Sequence, residues 1–193
     1  MKNALLIAGL ALASALAHAD DKACLADLAG NFQHTFSRGK QETVLSVRQD
    51  KSGWSFSQPA STDRDRLFRD HFEGKEPLKA QIIPAKQLAG VGALMLTPFV
   101  EEGSQLRNVK AECGLTVDDV YLVRLDLSRA DKDLLENIVT LGSALSGQKS
   151  DAAVSDADIA RMRQQKYFAG ETLKLEGVIS TIVPVLVQKA SAN

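Results

Sequence analysis

The chain has 193 residues, 45% of them apolar, and carries 23 basic side chains against 24 acidic ones. That near-neutral balance, with the signs interspersed, leaves no electrostatic footprint for nucleic acid or anionic lipid, and the apolar share is that of a folded globule. Aromatic residues make up only 5%, too few for an extended platform that stacks sugars or bases.

Residues 1–19 have the three parts of a secretory signal. Lys2 is the charge at the front, Ala4 to Ala17 runs without a charged side chain, and Ala17-His18-Ala19 supplies small residues for a peptidase. Cleavage after Ala19 makes Asp20 the new N-terminus. A spanning helix needs roughly 20 apolar residues, and this shorter stretch runs at once into Asp20, Asp21 and Lys22. No stable membrane insertion is expected after processing. Asp21-Lys22-Ala23 ahead of Cys24 also lacks the apolar and small neighbours of a lipid-attachment site. The expectation is a periplasmic or secreted protein with one domain over residues 20–193.

Two cysteines, Cys24 and Cys113, remain in the mature chain. An even pair in an oxidising compartment predicts a disulfide. Closing so long a loop removes roughly 4–5 kcal/mol of unfolded-chain freedom in the entropy model. The alternatives are two free thiols or one nucleophilic thiol, and neither cysteine has a base-rich neighbourhood in the sequence.

Leu28 to Phe36 predicts a strand with Phe32, His34 and Phe36 on one side. Residues 43–58 predict a β-hairpin: Thr43 to Arg48 is β-rich, Asp50-Lys51-Ser52-Gly53 is a turn, and Trp54 and Phe56 share a face. Thr62 to Phe72 predicts a short helix with Leu67, Phe68 and Phe72 as its stripe and Ser61 or Thr62 as its cap. Over residues 78–100, Ala80 to Ile83 and Ala93 to Leu96 predict strands, with a helical turn at Ala85 to Leu88 between them. Gln105 to Cys113 and Val120 to Leu127 predict a strand pair turned at Gly114 and Asp118-Asp119, with Tyr121, Val123, Leu125 and Leu127 facing the core. Ser128 to Leu145 predicts an amphipathic helix led by Asp131 and Asp133. After a loop over 146–154, Ser155 and Asp158 predict a capping box for a helix that includes Ile159, Met162 and Tyr167 and closes at Gly170. Thr172 to Lys189 fits either a helical stripe or a strand; Pro184 and the β-branched density favour the strand.

Candidates for chemistry each have a plainer reading. His34 and His71 are the histidines left after processing, and a metal site would want further ligands at short, regular spacing. Around His71, Asp63, Asp65, Asp70 and Glu73 alternate with Arg64, Arg66 and Arg69, which a solvated, self-paired helix face explains. Gly142-Ser143-Ala144 imitates a nucleophile elbow but falls inside a helical stripe. Asp118-Asp119 and Glu101-Glu102-Gly103 read as turns. Ala89-Gly90-Val91-Gly92-Ala93 lacks the Lys-Ser/Thr ending of a phosphate loop and reads as a bend where Gly92 lets the backbone approach a neighbour closely. No residue is assigned a catalytic, cofactor-binding or metal-binding role.

The expected fold is therefore α+β: a mainly antiparallel sheet over residues 28–127, two helices packed against it in 128–168, and a terminal strand or helix. The expected function is that of an exported, non-catalytic binding protein, an inhibitor or immunity protein with a protein partner in the cell envelope. One alternative is a carrier of an apolar or lipid ligand, lined by residues 78–100 and 172–187. Another is an envelope hydrolase with scattered residues, which needs His34 or His71 within hydrogen-bond reach of a Ser, Asp or Glu.

Overall fold

A computed structural model describes residues 21–36, 40–59, 68–72, 77–100, 106, 108–145, 153–174 and 180–191. Its strands are β1 (Gly30–Thr35), β2 (Gln41–Asp50), β3 (Gly53–Ser57), β4 (Leu78–Ile82), β5 (Lys110–Val117), β6 (Val120–Asp126), β7 (Tyr167–Lys174) and β8 (Ser180–Lys189). Each pairs antiparallel with the next, and β8 returns to β1 through Phe32↔Lys189 and Gln33↔Gln188. The result is a closed barrel. This overturns the expected sheet with two helices packed against it. The contact that closes the ring joins residues more than 150 positions apart, and no local pattern of residues encodes it.

The helices are α1 (residues 21–27), α2 (Arg69–Phe72), α3 (Ala85–Leu96), α4 (Lys132–Leu145) and α5 (Asp156–Arg163). The barrel has two ends. The end of β3, the start of β4, the end of β7, the start of β8 and the Asp118-Asp119 turn lie at one, since Glu171 pairs with Val120 and Gln81 with Thr116. The N-terminal helix α1 precedes β1 at the other.

The predicted hairpin is present as β2 and β3, paired through Gln49↔Trp54 and Val47↔Phe56. Its turn is held by the Asp50 carboxylate, which accepts from the Ser52 amide at 2.7 Å. Trp54 and Phe56 point into the barrel with Phe32, Leu45, Leu115 and Leu122; Phe32, Leu45, Phe56, Leu115 and Leu122 have no exposed surface. An eight-stranded barrel is just wide enough for side chains to fill, and these fill it.

A second core lies outside the barrel wall. There α3, α4 and α5 cover the outer face of β5–β8, burying Met95, Leu96, Leu135 and Ile138 with Val123, Leu125 and Phe168. β6 is consequently buried on both faces: Val120 and Leu122 inward, Val123 and Leu125 outward. Only the outward set was expected to face a core.

Two β-bulges set which side chains point inward. In β5, Ala111 pairs with Leu125 and Cys113 with Arg124, so Glu112 is the extra residue. In a regular strand Ala111 and Cys113, two residues apart, would share a face; the bulge puts them opposite adjacent residues of β6 and so on opposite faces. Ala111 accordingly packs outward against Gly92 of α3 and Cys113 turns into the interior cluster. The register between β1 and β2 shifts in the same way at Val44, which lets Val44 and Leu45 both be buried.

Several expected elements change type. Ala93 to Leu96 is the end of α3 rather than a strand, and Gly92 is inside the helix rather than at a bend. The close approach expected at Gly92 does occur: a Cβ there would lie 2.9 Å from that of Ala111. Tyr167 to Gly170 is strand β7 rather than the end of a helix. A Cβ at Gly170 would meet Ile182 Cγ2 at 2.6 Å and the Val183 carbonyl at 2.9 Å, so a glycine signals close strand packing there and not a helix stop. Gly114 lies within β5, and the turn is Asp118-Asp119 alone. The strand reading of residues 172–189 is correct in type for 172–174 and 180–189, which supply the end of β7 and all of β8.

Other expectations hold. Ser155 and Asp158 form the capping box at the start of α5, and the helix expected from Ser128 runs from Lys132 with Asp133 in its first turn. Phe68, expected inside a helix, instead precedes α2 with φ +62°. The expectations for residues 1–20, Ser61 to Leu67, Glu73, Glu101-Glu102-Gly103, Gln105, 146–152 and 175–179 lie outside the described residues.

The β1–β8 seam is short. Above the Gln33↔Gln188 pair, the Leu186 carbonyl lies 2.9 Å from Nδ1 of the His34 ring. Two residues further along the same edge stands Pro184, which has no N–H to offer.

Candidate functional site

The described polar chemistry gathers at the two barrel ends, and both groups attach to one strand. Tyr167, Ala169 and Glu171 alternate along β7 and face inward by its pleat. Tyr167 sits at the α1 end and Glu171 at the α2 end.

At the α1 end, Cys24 and Cys113 form the predicted disulfide, with Cα atoms 6.0 Å apart. It fastens α1 to β5, and Leu28, just beyond α1, is fully buried. Beside it, the Asp27 carboxylate accepts from the Tyr167 hydroxyl at 2.6 Å and from Arg124 Nη1 at 2.8 Å. Lys189 Nζ donates to the Asp27 carbonyl at 2.8 Å and lies 3.4 Å from its carboxylate. Arg124 Nε lies 2.7 Å from the Glu112 carboxylate, which the β5 bulge brings round to it. An arginine that follows Val120 and Leu122 on the inward row needs such partners.

Burial pushes the Asp27 carboxyl up. The Tyr167 hydrogen bond and the charges of Lys189 and Arg124 more than offset this and hold it below the usual carboxylate range. The Tyr167 phenol is pushed well above its ordinary value by burial first, then by Asp27 beside it. A phenol so held does not ionise near neutral pH, and it serves as a donor to Asp27. This set is two cations, two carboxylates and a phenol paired with one another; the buried Arg124 Nε is the exception, close to the Glu112 carboxylate in distance but without a hydrogen bond to it. The set anchors α1.

At the α2 end, His71 Nε2 lies 3.5 Å from the Glu171 carboxylate. Phe68 and Phe72, on either side of His71, are buried in the interior cluster with Phe56, Val117 and Val120. His34, the other candidate histidine, belongs to the seam and packs edge-on against Phe36 with ring centroids 4.7 Å apart. The two histidines thus serve different elements. Ser143 lies within α4, and Asp118 takes φ +46° in the two-residue turn. Among the described residues, no group of three or more His, Cys, Asp or Glu side chains gathers as metal ligands. No described helix is long and apolar enough to cross a membrane.

No family model matches the chain, and neither a curated protein nor a solved structure is significantly similar to it.

Sequence reasoning reached Cys24 and Cys113 but missed Asp27, Glu112, Arg124, Tyr167 and Lys189. One signal was available. Arg124 alternates with Val120 and Leu122 on a strand whose opposite face is also apolar, and a cation in such a row implies a buried counter-ion. Nothing local says that the counter-ion is Asp27, almost a hundred residues earlier.

Proposed function

We propose that this is an exported, non-catalytic binding protein that restrains an envelope-targeting enzyme, as an inhibitor or immunity protein does. The observation that supports this reading is how the interior is used: side chains fill the barrel, and the charged groups at the α1 end are spent on one another. What such a barrel offers a partner is its surface. The disulfide fits an oxidising compartment, and the signal reading of residues 1–19 supplies the route there.

The test uses the processed chain, residues 20–193, titrated against the host's own muramidases, peptidases and lipases. Stoichiometric inhibition of one of them is expected. Turnover of an envelope substrate that His71→Ala abolishes overturns the proposal in favour of a hydrolase.

A second reading, carriage of an apolar ligand, is favoured by one feature. α3, from the segment expected to line a cavity, lies outside the wall, but two interior rings at the α2 end come from a connection rather than from a strand.

A further inference from the structure

Resting on that second reading, we propose that Phe68 and Phe72 are a displaceable stopper. The space they occupy is then the binding site for a small apolar molecule of one or two aromatic rings, or a short alkyl chain. The two ends of the barrel are closed by unlike means. α1 is held by a disulfide and by the contacts of Asp27 with Arg124, Tyr167 and Lys189. α2 is a single four-residue turn, too short to be stable by itself. Its described polar tie to the wall is His71–Glu171, with both side chains about a quarter to a third exposed, and ion pairs so exposed hold weakly.

The backbone points the same way. Phe68 has φ +62°, a region that bulky L-residues rarely occupy. Such strain persists only where the surroundings enforce it, and it clusters at ligand clamps and switch regions. Here the enforcement is burial of the ring, which is 3% exposed while Phe72 is 1% exposed. A ligand that supplies equivalent apolar contact to Phe56, Val117 and Val120 removes the reason for Phe68 to stay. Entry at the α1 end would require breaking a covalent bond.

The experiment is calorimetric titration of indole into the wild-type protein and into Phe68→Gly, with Phe68→Leu as a milder second variant. Glycine accepts the positive φ without strain, so Phe68→Gly vacates the ring while keeping the backbone path. Wild type is expected to bind one equivalent saturably. Phe68→Gly should bind at least tenfold tighter, because the fraction of molecules with the site open no longer limits affinity, and Phe68→Leu should fall between them. Binding seen only in the variants marks an engineered cavity and overturns the native site. Saturable binding that Phe68→Gly leaves within twofold, or that Leu94→Glu on the exposed face of α3 abolishes, overturns the stopper but leaves ligand carriage standing. Absence of saturable binding in all three proteins overturns both.

Discussion

The barrel has two unlike halves. The outer faces of β1–β4 carry Arg48, Ser55, Lys79 and Gln81, exposed or half-buried, and these strands bury one face only. The outer faces of β5–β8 lie under helices and are buried on both sides. The difference shows how one closed ring can have two kinds of sequence along it. A strand wet on one face must alternate polar with apolar. A strand buried on both faces has no such requirement, and its stability comes from two cores at once. We expect amide hydrogen exchange to be slower along β6 and β7 than along β2 and β3, since local opening is easiest where fewest apolar contacts are lost. Equal protection in the two halves would end the comparison.

Substitutions sharpen it, from the largest effect to the smallest. Replacing Cys24 and Cys113 together by serine frees α1 from the doubly buried half. We expect a loss of about 4 kcal/mol in denaturant unfolding, within the usual range for a native disulfide. Leu135→Ala removes a fully buried side chain beneath α4 and should cost about 3 kcal/mol by the same measurement. Gly170→Ala forces a methyl against Ile182 and the Val183 carbonyl and should lower stability by about 2 kcal/mol. On the wet half, Ser55→Ala should change stability by less than about 0.5 kcal/mol.

Between Gly170→Ala and Ser55→Ala falls Asp27→Asn, at about 1 kcal/mol near neutral pH, a value reduced by the partial exposure of the site. Its pH dependence has a definite sign. The folded carboxyl titrates below its ordinary value of 3.8, so its contribution is full above that value and lost as pH falls through the lower folded value. Wild type and Asp27→Asn should therefore converge in unfolding midpoint on acidification below pH 3.8. A gap that stays constant through that range would show that the carboxylate charge is not what anchors α1.

The same asymmetry decided how much the sequence revealed. The β2–β3 hairpin, with Trp54 and Phe56 facing in and Ser55 facing out, was legible because its period of two survives. In the covered half that period fails. Thr172 to Lys189 fits helix and strand alike by its sequence, and where it is described Ile182 and Leu186 pack outward while Val187 packs inward. Ala93 to Leu96 misled for a related reason: apolar residues fill both the buried and exposed faces of α3, and Leu94 is 42% exposed. Capping chemistry at Ser155 and Asp158 was readable because it acts over three residues. Barrel closure and the Asp27 cluster were not, because each joins segments far apart in the chain.

The short seam between β1 and β8 has a consequence for the crowded conditions under which chains fold. A barrel that opens there presents two raw strand edges, the usual invitation to pair with another molecule and begin aggregation. On the β8 side that invitation is withdrawn at Pro184, which has no N–H to donate, so a strand laid along this edge meets a gap in its ladder there. The His34–Leu186 contact adds nothing to this protection, because it joins β1 to β8 and is itself lost when the seam opens. Pro184 is the guard that stays on the edge in the open state.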